Sequence, residues 1–387
     1  MIKRYPISFW LLNLSTLLFF FSFNVIIPEM PDYLTSLGGE DYKGFIIGLF
    51  TIVAAISRPI SGKLTDLIGR LPVMFFGGII CVIVSFLYPW FATIIGFMML
   101  RFFHGMSTGF IPTGTVAYLA DIIPSDRRGE AMGIVGIMNN VGFMAGNASS
   151  SLITERFGVN GLFYLSAILA LLSVAALLKL KESMVDTEKF KIKQLKINLS
   201  DVYDKRVFEP AVVMILTTMT FGAMLTLIPD YSKHLGIMNK GLFLSIATVS
   251  TILIRLWAGK LSDRIGRLKT CIVGTSFWVV ASLLLSSLDI NMFYLAAIFT
   301  GMATGMNSPA VFAWAVDVAK GIKSGRAMAT LFISLEVGIT IGAFVSAAIY
   351  RNHFENLQQV FLLLTVFNVL ALLFLINKNR SYSSDNQ

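Results

Sequence analysis

Long apolar runs separated by short polar stretches make up most of the chain. An α-helix of about 20 residues crosses roughly 30 Å of hydrocarbon, and runs of that length recur from one end of the sequence to the other. They predict twelve membrane spans near residues 8–28, 43–63, 72–91, 92–115, 131–152, 160–180, 208–229, 240–261, 268–288, 291–316, 325–349 and 358–377. This pattern predicts an all-α integral membrane protein with twelve transmembrane helices.

Two of the polar stretches, about 200 positions apart, have nearly the same sequence. Residues 62–71 read GKLTDLIGRL and residues 259–268 read GKLSDRIGRL, so eight of ten positions are identical. We name these stretches the signature loops. Each lies between two apolar runs, which indicates that the repeated unit contains a pair of membrane helices and the turn that joins them.

The repeat continues well beyond the signature loops. With an offset of 196 positions, the matched pairs are Gly105 and Gly301, Gly109 and Gly305, Asp121 and Asp317, Gly142 and Gly338, and Gly146 and Gly342. We therefore predict two parallel six-helix pseudo-repeats, residues 1–180 and 208–387, joined by a linker at residues 181–207. Glycines four apart let membrane helices approach closely, so we expect these glycines to be packing positions.

Composition and charge placement support a membrane protein of defined orientation. Hydrophobic residues make up 56% of the chain and charged residues 14%, whereas a soluble domain has about 25% charged residues. Of the 31 Lys and Arg, 23 fall on the side of the spans that holds both termini and the linker, and five fall on the other side. The positive-inside rule then predicts a multi-pass protein of the plasma (inner) membrane with both termini and the linker in the cytoplasm.

The formal charge of +9 is thereby explained as a topology signal, and we expect no nucleic-acid partner. Lysines alternate with apolar residues at 189–193 in the linker. That alternation fits either a strand or a segment lying along an anionic leaflet. Cys81 and Cys271 both fall inside apolar runs, where a thiol is usually a small buried hydrophobe.

Three motifs resemble those of a known family over essentially the whole chain. Residues 62–70 (G-x-x-x-D-x-x-G-R) and 101–109 (R-x-x-x-G-x-x-x-G) resemble the loop 2–3 and helix 4 signatures of the major facilitator superfamily. Pro28 and Pro31 are similar to the proline pair that ends helix 1 in its twelve-helix drug:proton antiporters. Their helix 5 usually carries G-x-x-x-G-P, whereas residues 142–147 here read GFMAGN. The resemblance implies a secondary transporter that works by alternating access.

Charged residues at the ends of helices recur in both repeats. They are Asp66, Arg70 and Asp121 in the first repeat and Asp263, Arg267 and Asp317 in the second. They are either solvated loop charges or a latch, in which opposed charges across the two halves hold the cytoplasmic side shut, and their repetition favours the latch. The resemblance implies that they stabilise an outward-facing state. Arg58 and Arg255 each precede a loop glycine by four residues, on the same helix face. They are either gate residues or side chains that snorkel to the headgroups.

Polar residues that lie within spans but are not repeated are candidates for proton or substrate binding. A charge at the bilayer centre costs roughly 2.5–3.5 kcal/mol on insertion scales. The candidates are Glu336, Arg101, His104, Asn140, Asn139 and Asn24. Glu336 falls near the midpoint of the eleventh span, where low dielectric favours a neutral carboxylate, so it is the first candidate for the coupling proton or a substrate cation. A structural carboxylate is the alternative.

Three further acids, Glu29, Asp32 and Asp230, fall at the predicted outer ends of the first and seventh spans. We expect them to be exposed loop charges. His104 is expected to be either a packed polar residue or a site residue. Arg101 is expected either to bind an anionic group, such as a carboxylate, or to serve a structural role.

The sequence contains no nucleotide-binding loop, nucleophile triad or metal-ligand cluster, so it predicts no enzymatic activity and no cofactor other than a coupling proton. The predicted function is proton-coupled efflux of a small amphipathic or apolar compound by a monomer in the lipid bilayer. One alternative is uptake of a sugar or organic anion, with Arg101 binding a carboxylate or phosphate. Another is a lipid-moving protein or receptor built on the same scaffold.

Overall fold

The computed structural model describes residues 5–124, 127–197, 202–319 and 324–384. In these ranges the α-helices are α1 Ile7–Ile26, α2 Met30–Ser36, α3 Lys43–Ile68, α4 Arg70–Leu87, α5 Ile94–Ile122, α6 Arg128–Leu177, α7 Phe208–His234, α8 Leu242–Ile265, α9 Arg267–Leu285, α10 Ile290–Val318, α11 Ser324–Tyr350 and α12 Asn356–Ser384. The all-α fold predicted from the apolar runs is confirmed.

The helices account for the twelve predicted spans. A single 3₁₀ turn at Ile27–Glu29 joins α1 to α2, and together they form the first span. Helix α6 is 50 residues long and contains two spans, because Gly158 has a non-helical backbone (φ 70°, ψ 172°) that kinks it. The remaining spans are single helices, including the 29-residue α10.

The chain forms two compact units. Unit 1 comprises Met1–Gly39 and Leu49–Asn198, and unit 2 comprises Glu40–Gly48 and Leu199–Gln387. The first turns of α3 therefore belong to unit 2, and the rest of α3 belongs to unit 1. Most of the linker, up to Asn198, is part of unit 1.

The two units use the same helix contacts. In unit 1, α1 packs along α6, and α4 packs on α5 and α6. In unit 2, α7 packs along α11, and α9 packs on α10 and α12. A Cβ atom at Gly105 would collide with the Phe50 carbonyl oxygen, and one at Gly301 would collide with the Ala247 carbonyl oxygen. These repeated glycines are thus required where α5 meets α3 and where α10 meets α8.

Each signature loop turns at one glycine. Gly69 has φ 108° and Gly266 has φ 94°, which is a backbone region that residues with a Cβ rarely adopt. Helix α3 ends at Ile68 and α4 begins at Arg70, so this single residue reverses the chain. The same turn places the loop arginine, Arg70 or Arg267, in the first position of the following helix.

Candidate gating and transport residues

In unit 1, the predicted charged residues of the first signature loop come together. The Arg70 guanidinium contacts Asp66 through Nη1 to Oδ1 at 2.9 Å and Asp121 through Nε to Oδ2 at 3.0 Å. Arg70 Nη1 also donates a hydrogen bond to the Thr65 carbonyl oxygen. Asp66 lies in the last turn of α3 and Arg70 is the first residue of α4, so the turn at Gly69 brings them together, whereas Asp121 lies at the end of α5. We name Asp66, Arg70 and Asp121 the first triad.

The start of the linker adds a second layer of bonds to the first triad. Ser183 Oγ donates to Asp121 Oδ2 at 2.7 Å. The Glu182 carboxylate accepts the backbone N–H of Arg70 at 3.1 Å and that of Leu71 at 2.8 Å. These are N–H groups of the first turn of α4, which have no partner within the helix. Glu182 therefore caps α4, and its negative charge lies at the positive end of the helix dipole.

In unit 2, the second signature loop forms an equivalent cluster. Arg267 contacts Asp263 at 2.5 Å and Asp317 at 3.3 Å, and its Nη1 donates to Ser262 Oγ at 2.9 Å. We name Asp263, Arg267 and Asp317 the second triad. All contacts described for each triad lie inside its own unit, so the structure brings each set of three residues together as a local network.

Two of the three residues are more exposed in the second triad than in the first, whereas Asp66 and Asp263 are both exposed. The Asp317 side chain is 57% exposed against 30% for Asp121, and the Arg267 side chain is 31% exposed against 15% for Arg70. The first turn of α9 borders a cavity of about 490 Å³, lined by Ile265, Gly266, Arg267, Leu268, Lys269, Trp314, Asp317, Val318 and Asn379. This cavity lies where unit 1 has the Glu182 cap.

The far end of the linker contacts unit 2. The Arg206 guanidinium donates two hydrogen bonds to the Asp204 carboxylate, at 3.0 and 2.7 Å, and one to the Ala319 carbonyl oxygen at 2.8 Å. The Asp204 backbone N–H donates to Thr330 Oγ1 at 3.0 Å. The bonds from Arg206 lower the pKa of the Asp204 carboxyl below its usual value. The linker is thus anchored at its start to unit 1 and at its end to unit 2.

Arg101 and His104 form a buried cluster with aromatic residues in unit 1. Both are fully buried. The Arg101 guanidinium lies 4.5 Å from the centre of the Phe50 ring, in cation–π geometry. His104 contacts the Tyr88 hydroxyl through Nδ1 at 3.3 Å and Cys81 Sγ through Nε2 at 3.4 Å. With a neighbour at each ring nitrogen, His104 has the surroundings of a packed polar residue.

Glu336 lies in the middle of α11 and is 5% exposed. A small cavity in unit 2, of about 120 Å³, is lined by its neighbours Leu335 and Ile339 and by residues of α7, α9 and α10. The cavity is mostly apolar, with a few hydroxyl and amide groups from Thr217, Thr218, Thr304, Asn307 and Ser308. Apolar walls with a few polar groups are typical of small-molecule sites.

Asn307 is a cavity residue that sequence reasoning missed. It is 3% exposed, and its Oδ1 atom has no hydrogen-bond partner in the part of the chain that the structure describes. An unpaired buried amide oxygen costs about 1–3 kcal/mol, which is a reason to expect it to bind a ligand or water. The available signal was an amide in the middle of the tenth predicted span.

The remaining candidates are dispersed. Asn24 is fully buried on α1, and its Nδ2 donates to the Phe20 carbonyl oxygen. Asn140 and Asn139 are half-buried on α6, and Asn140 Nδ2 donates to the Gly136 carbonyl oxygen. Arg58 on α3 and Arg255 on α8 are both half-buried. The described contacts do not join these residues into one cluster.

Two acids that were expected to be exposed loop charges are buried, so that expectation was wrong. Glu29 is 5% exposed and accepts a hydrogen bond from Ser151 Oγ at 2.7 Å. Asp230 is also 5% exposed and pairs with Lys43 Nζ at 2.5 Å. Glu29 is covered because α6 packs against the turn that carries it, and the first turn of α3 covers Asp230. Asp32, in contrast, is half-buried.

A strand at residues 189–193 is not supported. A 3₁₀ turn covers Ile192–Leu195, and Gln194 accepts the Lys191 N–H while its Nε2 donates to Glu188. Phe190 and Leu195 line a largely apolar cavity of about 410 Å³ between α3, α4 and α5. The linker is therefore folded against unit 1 over this stretch.

The chain has twelve spans in two repeats. Each repeat has a charged triad at a glycine turn and buried polar residues within its spans. These features are typical of a helical membrane transporter. Comparison with known sequences agrees. The profile of the Major Facilitator Superfamily matches residues 12–254 and 211–386, which together cover most of the chain. The chain belongs to this superfamily, so the resemblance found in the signature loops is confirmed.

Individual relatives are distant but match over most of their length. The staphylopine export protein of Staphylococcus aureus is 23% identical over 86% of this chain and 86% of its own. The multi-drug resistance efflux pump PmrA of Streptococcus pneumoniae is 26% identical over 85% of each chain. The crystal structure of the human organic anion transporter MFSD10 (TETRAN) superposes with a TM-score of 0.72 at 16% identity, covering 95% of this chain and 98% of that one. The last comparison supports the fold.

Proposed function

We propose that the protein is a proton-coupled exporter of a small amphipathic or apolar compound. Glu336 carries this proposal, because it is a buried carboxylate in the middle of α11 whose neighbours Leu335 and Ile339 line the cavity of unit 2. Two relatives, a staphylopine export protein and the multi-drug efflux pump PmrA, are named for export. The protein works as a monomer in the plasma (inner) membrane, with the proton as its coupling ion and no cofactor.

The composition of the cavity favours this substrate class. Most of its lining is apolar, and Asn307 offers an amide oxygen with no protein partner in the described residues. A ligand with an apolar body and one hydrogen-bond donor would satisfy both features. Competition between this ligand and a proton on Glu336 is the simplest form of antiport, since loading of one would release the other.

Transport by the Glu336→Gln variant tests the proposal. Gln keeps the shape and the hydrogen bonding of Glu but cannot exchange a proton. In proteoliposomes with an imposed pH gradient, we expect the variant to lose uphill accumulation and to keep downhill exchange of the same compound. Glu355→Gln, at an exposed acid that follows α11, is the matched control and should transport normally. Uphill transport by Glu336→Gln would contradict the assignment.

Orientation is tested by labelling from one side. Lys189 in the linker and Glu40 before α3 are both exposed. With both termini and the linker in the cytoplasm, Lys189→Cys should react with an impermeant thiol reagent only from the cytoplasmic side, and Glu40→Cys only from outside. Labelling of both variants from one side would contradict the proposed topology.

The two triads are proposed to latch the cytoplasmic side during alternating access. Asp66→Asn or Asp263→Asn removes one carboxylate from the arginine of its loop, and we expect either change to move the population towards the inward-facing state. Distances between spin labels across the cytoplasmic face measure this shift. An unchanged distance distribution in both variants would count against a latch.

Uptake of an organic anion is the second candidate. The observation that favours it is the Arg101 side chain on α5, which is fully buried. A substrate carboxylate or phosphate would neutralise its positive charge. A transporter of this kind would lose anion uptake in Arg101→Gln and keep its melting temperature. Export of neutral compounds that survives in Arg101→Gln would favour the first proposal.

A further inference from the structure

A row of polar side chains lies between α1 and α6 in unit 1. Ser151 Oγ donates a hydrogen bond to Glu29 Oε1 at 2.7 Å. On α6, Asn147 lies four residues before Ser151 and three residues before Ser150, so it shares a helix face with each of them. Asn24 lies on the facing side of α1. We name these five residues the α1–α6 seam.

The close approach of the helices fixes the position of Asn24. A Cβ atom at Gly146 would lie 2.8 Å from the Asn24 Cβ, so Asn24 packs directly against the residue that precedes Asn147. With a rise of 1.5 Å per residue, Asn24 and Glu29 are about 8 Å apart along the helix axis, and Asn147 and Ser151 about 6 Å. The seam is therefore a short polar line that ends at the Glu29 carboxylate.

Three oxygen atoms of the seam have no protein partner in the described residues. They are Asn24 Oδ1, Asn147 Oδ1 and Ser150 Oγ, and all three side chains are fully buried. Each unpaired buried group costs about 1–3 kcal/mol. Native proteins rarely keep such groups, and where they do, ordered water, an ion or a functional role commonly accounts for them.

The matching helix pair of unit 2 is a natural control. The triplet Pro31-Asp32-Tyr33 recurs as Pro229-Asp230-Tyr231, which sets the offset between α1 and α7 at 198 positions. Four of the five seam residues then have apolar counterparts; the pairs are Asn24 and Gly222, Glu29 and Leu227, Asn147 and Ala343, and Ser151 and Ala347.

Only Ser150 keeps its residue type in unit 2, as Ser346. Ser346 Oγ donates to the Ala343 carbonyl oxygen at 3.1 Å, so its hydrogen bond is made within its own helix. Helices α7 and α11 pack together without the four polar groups. Helices packed in this way therefore do not need polar side chains between them. Packing alone does not explain the polar side chains between α1 and α6.

In their described parts, the elements that pack against the seam carry few other charged residues. Helix α1 contains no charged residue between Ile7 and Ile26. The 3₁₀ turn that carries Glu29 packs against α1, α2 and α6. At this end, α2 contributes the half-buried Asp32, and α6 contributes Glu155 and Arg156, both exposed. Glu29 is thus the only buried acid that the described part of these elements offers to the seam.

We infer that the α1–α6 seam is a hydrated proton route and that Glu29 takes up a proton at its end. A hydronium ion gives its proton to the ionised Glu29 carboxylate and leaves as water. Ser151 Oγ, which donates to the ionised carboxylate, then accepts a hydrogen bond from the neutral carboxylic acid. This inference rests on the proposed proton coupling for its role in transport, where it adds a second proton-binding carboxylate to Glu336.

Infrared difference spectra of the purified full-length protein test Glu29 directly. Between about pH 9 and about pH 5, exposed carboxylates remain mostly ionised, so a protonated carboxylic-acid C=O band reports buried acids. We expect Glu29→Gln to remove one component of this band and Ser151→Ala to shift the same component without removing it. Glu40→Gln, at an exposed acid, should leave the band unchanged. A Glu29→Gln spectrum identical to that of the parent would overturn the inference.

Thiol labelling tests whether the seam is hydrated. Ser150 and its counterpart Ser346 are equally buried, at 0% and 1% exposure. With Cys81 and Cys271 replaced by serine, Ser150→Cys should react with a small water-soluble thiosulfonate, and Ser346→Cys should not. Equal reactivity of the two variants would overturn the hydrated route. Neither measurement uses substrate or a pH gradient across a membrane. Both therefore test protonation of Glu29 and hydration of the seam even if the Glu336→Gln assay contradicts the proposed function.

Discussion

The two signature loops have almost the same sequence and different surroundings. In unit 1, Arg70 is largely buried, Asp121 receives a bond from Ser183, and the Glu182 carboxylate caps α4. In unit 2, Arg267 and Asp317 are more exposed, and the first turn of α9 borders an open cavity. The same motif is therefore largely buried and hydrogen-bonded in one unit and more exposed in the other.

The two loops differ in exposure because different residues lie beside them. In unit 1 these residues follow α6, and in unit 2 they lie near the end of α12. Glu182 comes shortly after α6 and starts the linker, which folds back on the signature loop. In the last helix of each repeat the buried residues match with an offset of 198 positions, as Phe163 and Phe361 do, and this offset pairs Glu182 with Arg380. The nearby Lys378 pairs with Glu209 at 2.6 Å. A carboxylate stabilises a helix N-terminus and a basic side chain does not, so this exchange of charge gives α9 no carboxylate equivalent to Glu182.

We expect the largest difference in stability between the two units when the arginine of each signature loop is removed. Arg70→Ala loses bonds from a side chain that is 15% exposed to Asp121, to the Thr65 carbonyl oxygen and to the exposed Asp66, so we expect the free energy of unfolding to fall by about 2 kcal/mol. Arg267→Ala should lower it by about 0–1 kcal/mol, because its partners are exposed. Thermal unfolding of the purified variants in detergent measures both. Equal losses would show that the linker does not reinforce the first triad.

Removal of the cap itself should have a smaller effect. Glu182→Ala leaves the N–H groups of Arg70 and Leu71 without their acceptor, so we expect a loss of about 1–2 kcal/mol in the free energy of unfolding. Lys378→Ala, which removes a partly exposed ion pair near the end of α12, is the control in unit 2 and should cost about 0–1 kcal/mol. A Glu182→Ala variant as stable as the parent would show that water replaces the cap without cost.

A carboxylate can also be introduced beside the first turn of α9 in unit 2. Asn379 lines the cavity beside the first turn of α9. Asn379→Glu places a carboxylate near the positive end of that helix, so we expect a gain of about 0.3–1 kcal/mol that decreases at high salt. Asn379→Gln, with the same length and no charge, should give no gain. Equal stability of the two variants would contradict the electrostatic explanation.

The weakest expected effect concerns the far end of the linker. Arg206 lowers the pKa of Asp204, so this contact stabilises the fold above the unfolded-state value, about pH 3.9, and the stabilisation is lost as the pH falls through the lower folded-state value. At neutral pH, Asp204→Asn should be less stable by less than about 1 kcal/mol. The difference should disappear in acid, as followed by melting temperature against pH. A difference that persists in acid would assign the effect to packing.

Much of the architecture was predictable from the sequence, because apolar runs and repeat spacing are local patterns. The turn between two helices in each signature loop is one example, since a short polar stretch between two apolar runs predicts it in both repeats and Gly69 and Gly266 form it. The all-α fold and the superfamily follow from patterns of this kind. The candidate site was predicted less well, and the roles of Glu336, Arg101 and the triads in transport stay predictions.

The errors have a common physical cause. Glu29 and Asp230 are at the ends of spans, where a sequence alone cannot show whether another helix covers them. The structure shows Ser151 of α6 bonded to Glu29 and Lys43 of α3 bonded to Asp230. Burial depends on residues more than 100 positions away, so no local pattern reports it.

The sequence by itself determined twelve spans, two repeats and a charged glycine turn in each, because the hydrocarbon thickness and the helix period act on every segment separately. Only the tertiary structure decided that Glu182 caps α4, that His104 is packed between Tyr88 and Cys81, and that the polar α1–α6 seam has apolar counterparts in unit 2. Those outcomes depend on which helices meet and at what register, and two repeats of one fold can differ there while their local patterns remain alike.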